Sequence, residues 1–407
     1  TKAIEIRKTD NLTIKNSTFT NNDNGIWSVY SEYGDDGYGE IKDTYISSNT
    51  FSNNTNAIDL NMNQADFNNL NIDNNTINNN SVGIDFSGGG YGARVHSVYI
   101  YNNFIDNNSS YGVRIGQIYG TGSGTTENYP LQFYQNILFN NGIYWNFGGG
   151  VSGVTSKITN NLITNFSGDG ITFSGGTSRS DNISYNLIQS NNKSIYLQDS
   201  YTDPSNMTFS YNTFTGTPSS ELITTFGSGH KFNYNNFRNV SNYVIKNTST
   251  SSVDAENNYW GTTSTSEIAS NIYDQSDNFE LGAVDYSPYS NSLITTAPIS
   301  PPTNTSASAG SSSFTLSWSA NSESDLTGYK VYWDTDSGHP YANVQDVGNV
   351  TSKTISGLSS GTTYYVTVTA YDSTYSSGND NSSTIINENQ TAGNESWYAE
   401  EKTVVSN

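Results

Sequence analysis

The sequence predicts an all-β chain, a solenoid of about ten coils followed by a small antiparallel β-sandwich. Three observations carry this. An asparagine returns once per coil, at Asn49, Asn75, Asn103, Asn136, Asn161, Asn186, Asn212, Asn235 and Asn258, in steps of 23 to 33 residues. An apolar residue stands three places before each of them and another two places after. Near Thr295 the repeat gives way to short runs of alternating apolar residues.

The first apolar position runs Ile14, Ile46, Ile72, Ile100, Phe133, Ile158, Ile183, Phe209, Phe232 and Ala255. The second runs Phe19, Phe51, Ile77, Ile105, Leu138, Ile163, Ile188, Phe214, Phe237 and Trp260. A third is expected at Ile26, Ile58, Ile84, Val113, Trp145, Ile171, Ile195, Leu222 and Val244, often just after a glycine. These runs are too short and too interrupted by Asn, Gly and Ser for helices, whereas three strands joined by bends fit. Stacking puts like on like, so each ladder amide meets its counterparts in the coils above and below. Asn also tolerates the left-handed backbone that a tight bend needs.

With these units in view, residues 1–290 resemble the right-handed parallel β-helices of the pectin-lyase-like superfamily, of the generic extracellular repeat type. The closing segments Glu256-Asn257-Asn258-Tyr259-Trp260-Gly261 and Val284-Asp285-Tyr286-Ser287-Pro288-Tyr289 are similar to the way such helices end. The resemblance implies the fold. It leaves activity open, because the same scaffold carries lyases, hydrolases, epimerases, adhesins and structural proteins.

The solenoid is assigned to residues 1–297 and the sandwich to 298–407, joined at the proline-rich stretch Thr295 to Pro302. Phe314, Leu316 and Trp318 alternate, as do Tyr329, Val331 and Trp333, and again Tyr364, Val366, Val368 and Ala370. The order resembles a fibronectin type III domain, with Trp318 on its second strand and Gly328 to Trp333 on its third. Tyr364 stands where that family keeps a corner tyrosine bonded to nearby backbone. A polar insertion at 373–392 departs from the pattern, and Lys402 to Val405 is expected as the last strand.

The absence of cysteine excludes disulfides, thiolate metal sites and a Cys nucleophile. A net charge of −21 argues against nucleic acid. Charged residues are only 13% of the chain, so the surface is mainly amide, hydroxyl and phenol, which suits neutral sugars and self-contact. No apolar run approaches a membrane span, and no signal peptide is seen. Sequons, among them Asn53, Asn79 and Asn107, would be glycan acceptors in a secreted chain. Strand-like alternation from Thr1 to Asn16 leads to the expectation of a bare first coil. Upstream residues or a neighbouring subunit would cover it, the latter giving end-to-end filaments.

The longest insertions, 27–45, 85–98, 114–132, 146–156 and 172–181, fall at one place in the repeat and would line a shared groove. Tyr30, Tyr33, Tyr38, Tyr91 and Tyr119 are candidate sugar-stacking residues. Asp35, Asp36 and Glu40 are weak calcium candidates, with oxygen ligands but no EF-hand spacing. Arg94, His96, Arg114 and Glu127 are the candidate catalytic set, an Arg neutralising a uronate or acting as base. Gly34-Asp35-Asp36 and Gly229-His230 resemble polygalacturonase fragments, but eight coil steps put them roughly 38 Å apart.

The function expected is therefore a secreted or cell-surface structural, glycan-contacting or self-associating protein that requires no cofactor. The alternative is a polysaccharide lyase, epimerase or glycosidase working in the groove. Glycans or cell-surface polymers are the expected partners.

Overall fold

A computed structural model describes residues 1–28, 39–61, 65–87, 94–116, 131–146, 156–166, 168–175, 181–190, 192–199, 203–238, 240–324, 326–338, 341–372 and 395–407. Contacts divide the chain into two units, Thr1–Ile294 and Thr295–Asn407.

The first unit is a parallel β-solenoid with three sheets. Sheet A has eleven strands, from Lys2–Ile6 to Ile272–Tyr273. Sheet B has thirteen, from Thr9–Asp10 to Val284–Asp285, and sheet C has nine, from Thr18–Thr20 to Asn236–Arg238. The chain visits A, B and C in turn, so each strand pairs with strands one coil away.

The first apolar position forms one unbroken register on sheet B, from Ile14 against Ile46 through Ile72, Ile100, Phe133 and Ile158 to Phe209 against Phe232. The second does the same on sheet C, from Phe19 against Phe51 to Phe214 against Phe237. Both columns point into one continuous apolar core.

The third column, on sheet A, differs in three coils from the sequence expectation. Val113 pairs with Ile143, Ile195 with Ile223, and Ile223 with Ile245. Trp145, Leu222 and Val244 are buried beside that column rather than in it. The connection from sheet C to sheet A varies in length, so counting forward from the asparagine loses the register there. Glycines open sheet A strands because adjacent coils leave no room. A Cβ on Gly83 would lie 2.4 Å from the carbonyl oxygen of Gly112, and one on Gly142 would lie 2.3 Å from that of Asp169.

The asparagines form the expected ladder. Asn136 Nδ2 donates to Asn161 Oδ1 at 3.1 Å, to the Ile100 carbonyl at 2.9 Å and to the Tyr134 carbonyl at 3.1 Å. Its Oδ1 accepts from the backbone N and the Nδ2 of Asn103, both at 3.0 Å. The same forward bond runs from Asn49 to Asn258, where the last amide turns to the Phe232 and Ala255 carbonyls. All of these side chains are at most 1% exposed.

The left-handed residue is not the ladder asparagine itself but the one before it: Ser48, Asn74, Asn102, Gln135, Asn160, Tyr185, Tyr211, Tyr234 and Asn257. The ladder side chain must point inward from the next position, so its predecessor takes the bend. A second ladder, five residues on, joins Asn22, Asn54, Asn80, Asn108 and Asn141. Sequence reading missed it, although Asn-Asn recurs at 53–54, 79–80, 107–108 and 140–141.

The second unit packs a three-stranded antiparallel sheet (Thr303–Gly310, Ser313–Ser319, Ser352–Ser356) with a four-stranded one (Asn343–Gly348, Leu326–Asp334, Thr363–Asp372, Lys402–Val405). Phe314, Leu316, Trp318, Tyr329, Val331, Val366 and Val368 fill its core. Ile299 joins them and Ser300 N donates to Glu323 at 3.1 Å, so the end of the proline-rich stretch belongs to this unit. Glu395 and Lys330 form a fully buried ion pair at 3.1 Å, and the hydroxyls of Tyr332 and Thr369 donate to the same carboxylate.

Replacing Asn136 with Leu strands the buried Asn103 backbone N–H and takes one partner each from Asn103 Nδ2, Asn161 Oδ1 and the Ile100 carbonyl, a buried unpaired group costing about 1–3 kcal/mol. A loss of at least about 3 kcal/mol is expected in urea unfolding; an unchanged midpoint would contradict the ladder's energetic role. In the sandwich, Glu395→Ala leaves Lys330 buried without its counter-charge and should cost about 3–5 kcal/mol. The double variant with Lys330→Met should recover part of that loss, as read by thermal melts.

Candidate functional site

Alternation in sheet A turns every second residue outward. The outward column runs Trp27, Asp59, Asp85, Arg114, Tyr144, Thr172, Tyr196, Thr224, Lys246 and Tyr273, one residue per coil. It divides into an ionic part and an aromatic part.

In the ionic part, Arg114 grips Asp85 in a fork, Nε to Oδ1 at 2.8 Å with a second bond from the terminal nitrogen to Oδ2. The Asp85 side chain is 1% exposed while that of Arg114 is 41% exposed, so the arginine caps the carboxylate from the solvent side. One coil earlier, burial raises the Asp59 carboxyl above its ordinary value, and Asp85 adds to this. Ser87 and Arg114 act in the opposite sense.

In the aromatic part, Tyr144 and Tyr196 are separated by Thr172, so half-buried rings alternate with a small hydroxyl residue. Tyr111 packs against Tyr144 at 5.6 Å, and Lys193 Nζ lies 4.9 Å from the centre of the Tyr196 ring. Lys193 also pairs with Glu221 at 3.4 Å.

Along the margin where sheet C passes into sheet A lies a cleft of about 400 Å³. The second asparagine ladder ends there. Asn141 has no asparagine ahead of it and turns its amide back to the carbonyls of Asn108 and Asn140, at 2.7 and 2.9 Å. In the next coil Phe166 follows a register shift after Thr164 and forms part of the wall. Asp169 faces the cleft, its carboxyl raised by burial, with Lys193 opposing and Glu221 adding to the rise.

The residues singled out from sequence are distributed differently. Arg114 stands in the outward column of sheet A. Glu40 and Arg94 are on sheet B, each opposite Asp66, and His96 Nε2 lies 3.1 Å from that same Asp66 carboxylate. Thus Asp66, which sequence reading passed over, gathers Glu40, the Arg94 backbone position and His96. Arg114 is held by a different carboxylate on a different sheet. Tyr30, Tyr33, Asp35, Asp36, Tyr38, Tyr91, Tyr119 and Glu127 lie outside the described residues. The strands flanking the insertions belong to sheet A on entry and sheet B on return.

The sandwich carries a decisive local feature as well. Ser359 N donates to the Tyr364 hydroxyl at 3.1 Å, closing the expected corner. The family model for the fibronectin type III domain matches residues 300–386. Residues 300–386 are a fibronectin type III domain. Its last strand, Lys402–Val405, lies beyond that match, after the insertion, with Glu395 anchoring the returning chain.

Among curated proteins, a Kelch domain-containing protein of Saccharolobus solfataricus is 46% identical over 77 residues, 19% of this chain. The match takes in 10% of that protein's length. Among solved structures, a Fn3-like protein from Clostridium thermocellum is 24% identical. It covers 27% of this chain and 96% of its own, with a TM-score of 0.20. The chicken CNTN1 FN1-FN3 domains are 18% identical over 31% of this chain and 33% of theirs, also with a TM-score of 0.20.

Because its carboxyl is raised, Asp59 binds a proton more tightly in the folded chain than in the unfolded one. Its contribution to stability is full below the unfolded value and is lost as pH rises through the folded one. Asp59→Asn should therefore raise the melting temperature at pH 7, with the gain fading as acid protonates the native carboxyl. Melts of both proteins across that range check this, and a variant less stable at pH 7 would refute it.

Proposed function

We propose that this is a secreted or cell-surface protein whose solenoid, of the pectin-lyase-like kind, contacts neutral glycans along the outer face of sheet A. The observation that carries the reading is the column Tyr144, Thr172, Tyr196, in which ring, hydroxyl and ring follow one another along the axis at the coil spacing of about 4.8 Å. Sugars present apolar ring faces and hydroxyls together, and amphipathic tyrosines serve both. The net charge of −21 favours neutral over acidic polymers. The fibronectin type III domain supports an extracellular address, acting as an appended spacer.

Other features fit the same setting. Asn53, Asn79 and Asn107, all sequon asparagines, sit exposed at left-handed bends of successive coils, where attached glycans would point to solvent. End-to-end association would use the unpaired backbone edge of a terminal coil.

The enzymatic alternative places a lyase, epimerase or glycosidase on this solenoid. Against it, Arg114 is committed to a buried carboxylate, and His96 is paired on another sheet. Tyr144→Ala and Tyr196→Ala should each weaken retention in affinity electrophoresis through neutral polysaccharide by about 5- to 10-fold, for a lost contact of about 1–1.5 kcal/mol. Robust turnover of neutral or uronate glycans, with or without calcium, would overturn the non-enzymatic reading.

A further inference from the structure

We propose that the cleft beside Asn141 seats a single neutral sugar unit, so that the solenoid distinguishes a branched glycan from a linear one. This rests on the reading of sheet A as a glycan platform and adds a second, lateral subsite to it.

Position is the first argument. Tyr111 and Thr172 line the cleft and also lie on sheet A, on either side of the Tyr144 strand. A chain lying on the platform along the axis would pass the cleft mouth. Only a unit leaving the chain sideways would enter.

Size and chemistry are the second. About 400 Å³ is near the low end of the roughly 300–1,000 Å³ of small-molecule sites, room for a ring or two but not for a polymer. Ser109 and Ser110 supply exposed hydroxyls, Phe166 an apolar wall, and Asp169 a carboxylate able to accept from neighbouring sugar hydroxyls. Asn141 spends its amide on the ladder, so it shapes the floor rather than binding.

Charge is the third. Burial and Glu221 already disfavour the anionic form of Asp169, and Lys193 opposes them. A second anion brought beside it would meet the same penalty, so a uronate is excluded where a neutral hexose is accepted.

The test uses the full chain and two probes, a linear mannan oligosaccharide and the same backbone bearing single galactosyl branches. Calorimetry is expected to give about tenfold or more tighter binding of the branched probe. Ser110→Trp fills the cleft from an exposed position. It should abolish that preference, leave binding of the linear probe intact and leave the melting temperature unchanged. Equal affinities for the two probes, or a preference that survives Ser110→Trp, would overturn the cleft while the platform stands. If Ser110→Trp removes binding of the linear probe as well, the cleft is no lateral subsite and the proposal fails. Absence of binding by either probe removes both readings.

Discussion

Everything in the solenoid depends on one constraint: a buried primary amide must use both of its N–H groups and its oxygen. Stacking identical residues one coil apart meets that demand at every level. Asn136 bonds the coil before it through the Ile100 carbonyl and the coil after it through Asn161, so each coil is registered to two others. The apolar columns on sheets B and C follow from this registration, because a coil that slipped by one residue would break its amide bonds and turn its apolar set outward. The ladder therefore specifies the register while the core supplies most of the burial.

That division leaves the outward positions of sheet A outside both the ladder and the apolar core, and there the chain is most varied. Ionic residues cluster in the early coils, where Arg114 neutralises Asp85, and tyrosines alternate with threonines in the later ones. The bends are less free. Tyr185, Tyr211 and Tyr234 adopt left-handed backbone, which costs about 1–2 kcal/mol each. Their rings stack at 5.3 Å and recover part of this, about 0.5–1.5 kcal/mol per pair.

The inward columns were legible because they sit at fixed distances from the ladder asparagine. Legibility failed where the distance varies: Ile143 follows Leu138 by five residues, whereas Ile223 follows Phe214 by nine. Four strands of the sandwich were legible, three as alternating apolar runs and the last at Lys402, whereas Thr303–Gly310, Asn343–Gly348 and Ser352–Ser356, which carry few large apolar residues, were not singled out. The site was less so. Insertions drew the reading toward loop residues, while the pairings that matter, Arg114 with Asp85 and His96 with Asp66, join residues 29 and 30 apart. Such contacts appear only once the register between coils is known. Asp59 and Asp85 carried a usable signal, since each follows an inward isoleucine at the same place in successive units.

The ladder also has a direction. Each amide from Asn49 to Asn235 donates forward, toward the C-terminal end, and none donates to the amide behind it. Aligned amide dipoles reinforce one another, as peptide dipoles do along a helix. Within the ladder every side-chain oxygen therefore faces the N-terminal end, while one N–H of each amide faces the C-terminal end and the other reaches back to a carbonyl of the coil before. The amide that fixes the register thus also gives the ladder an orientation.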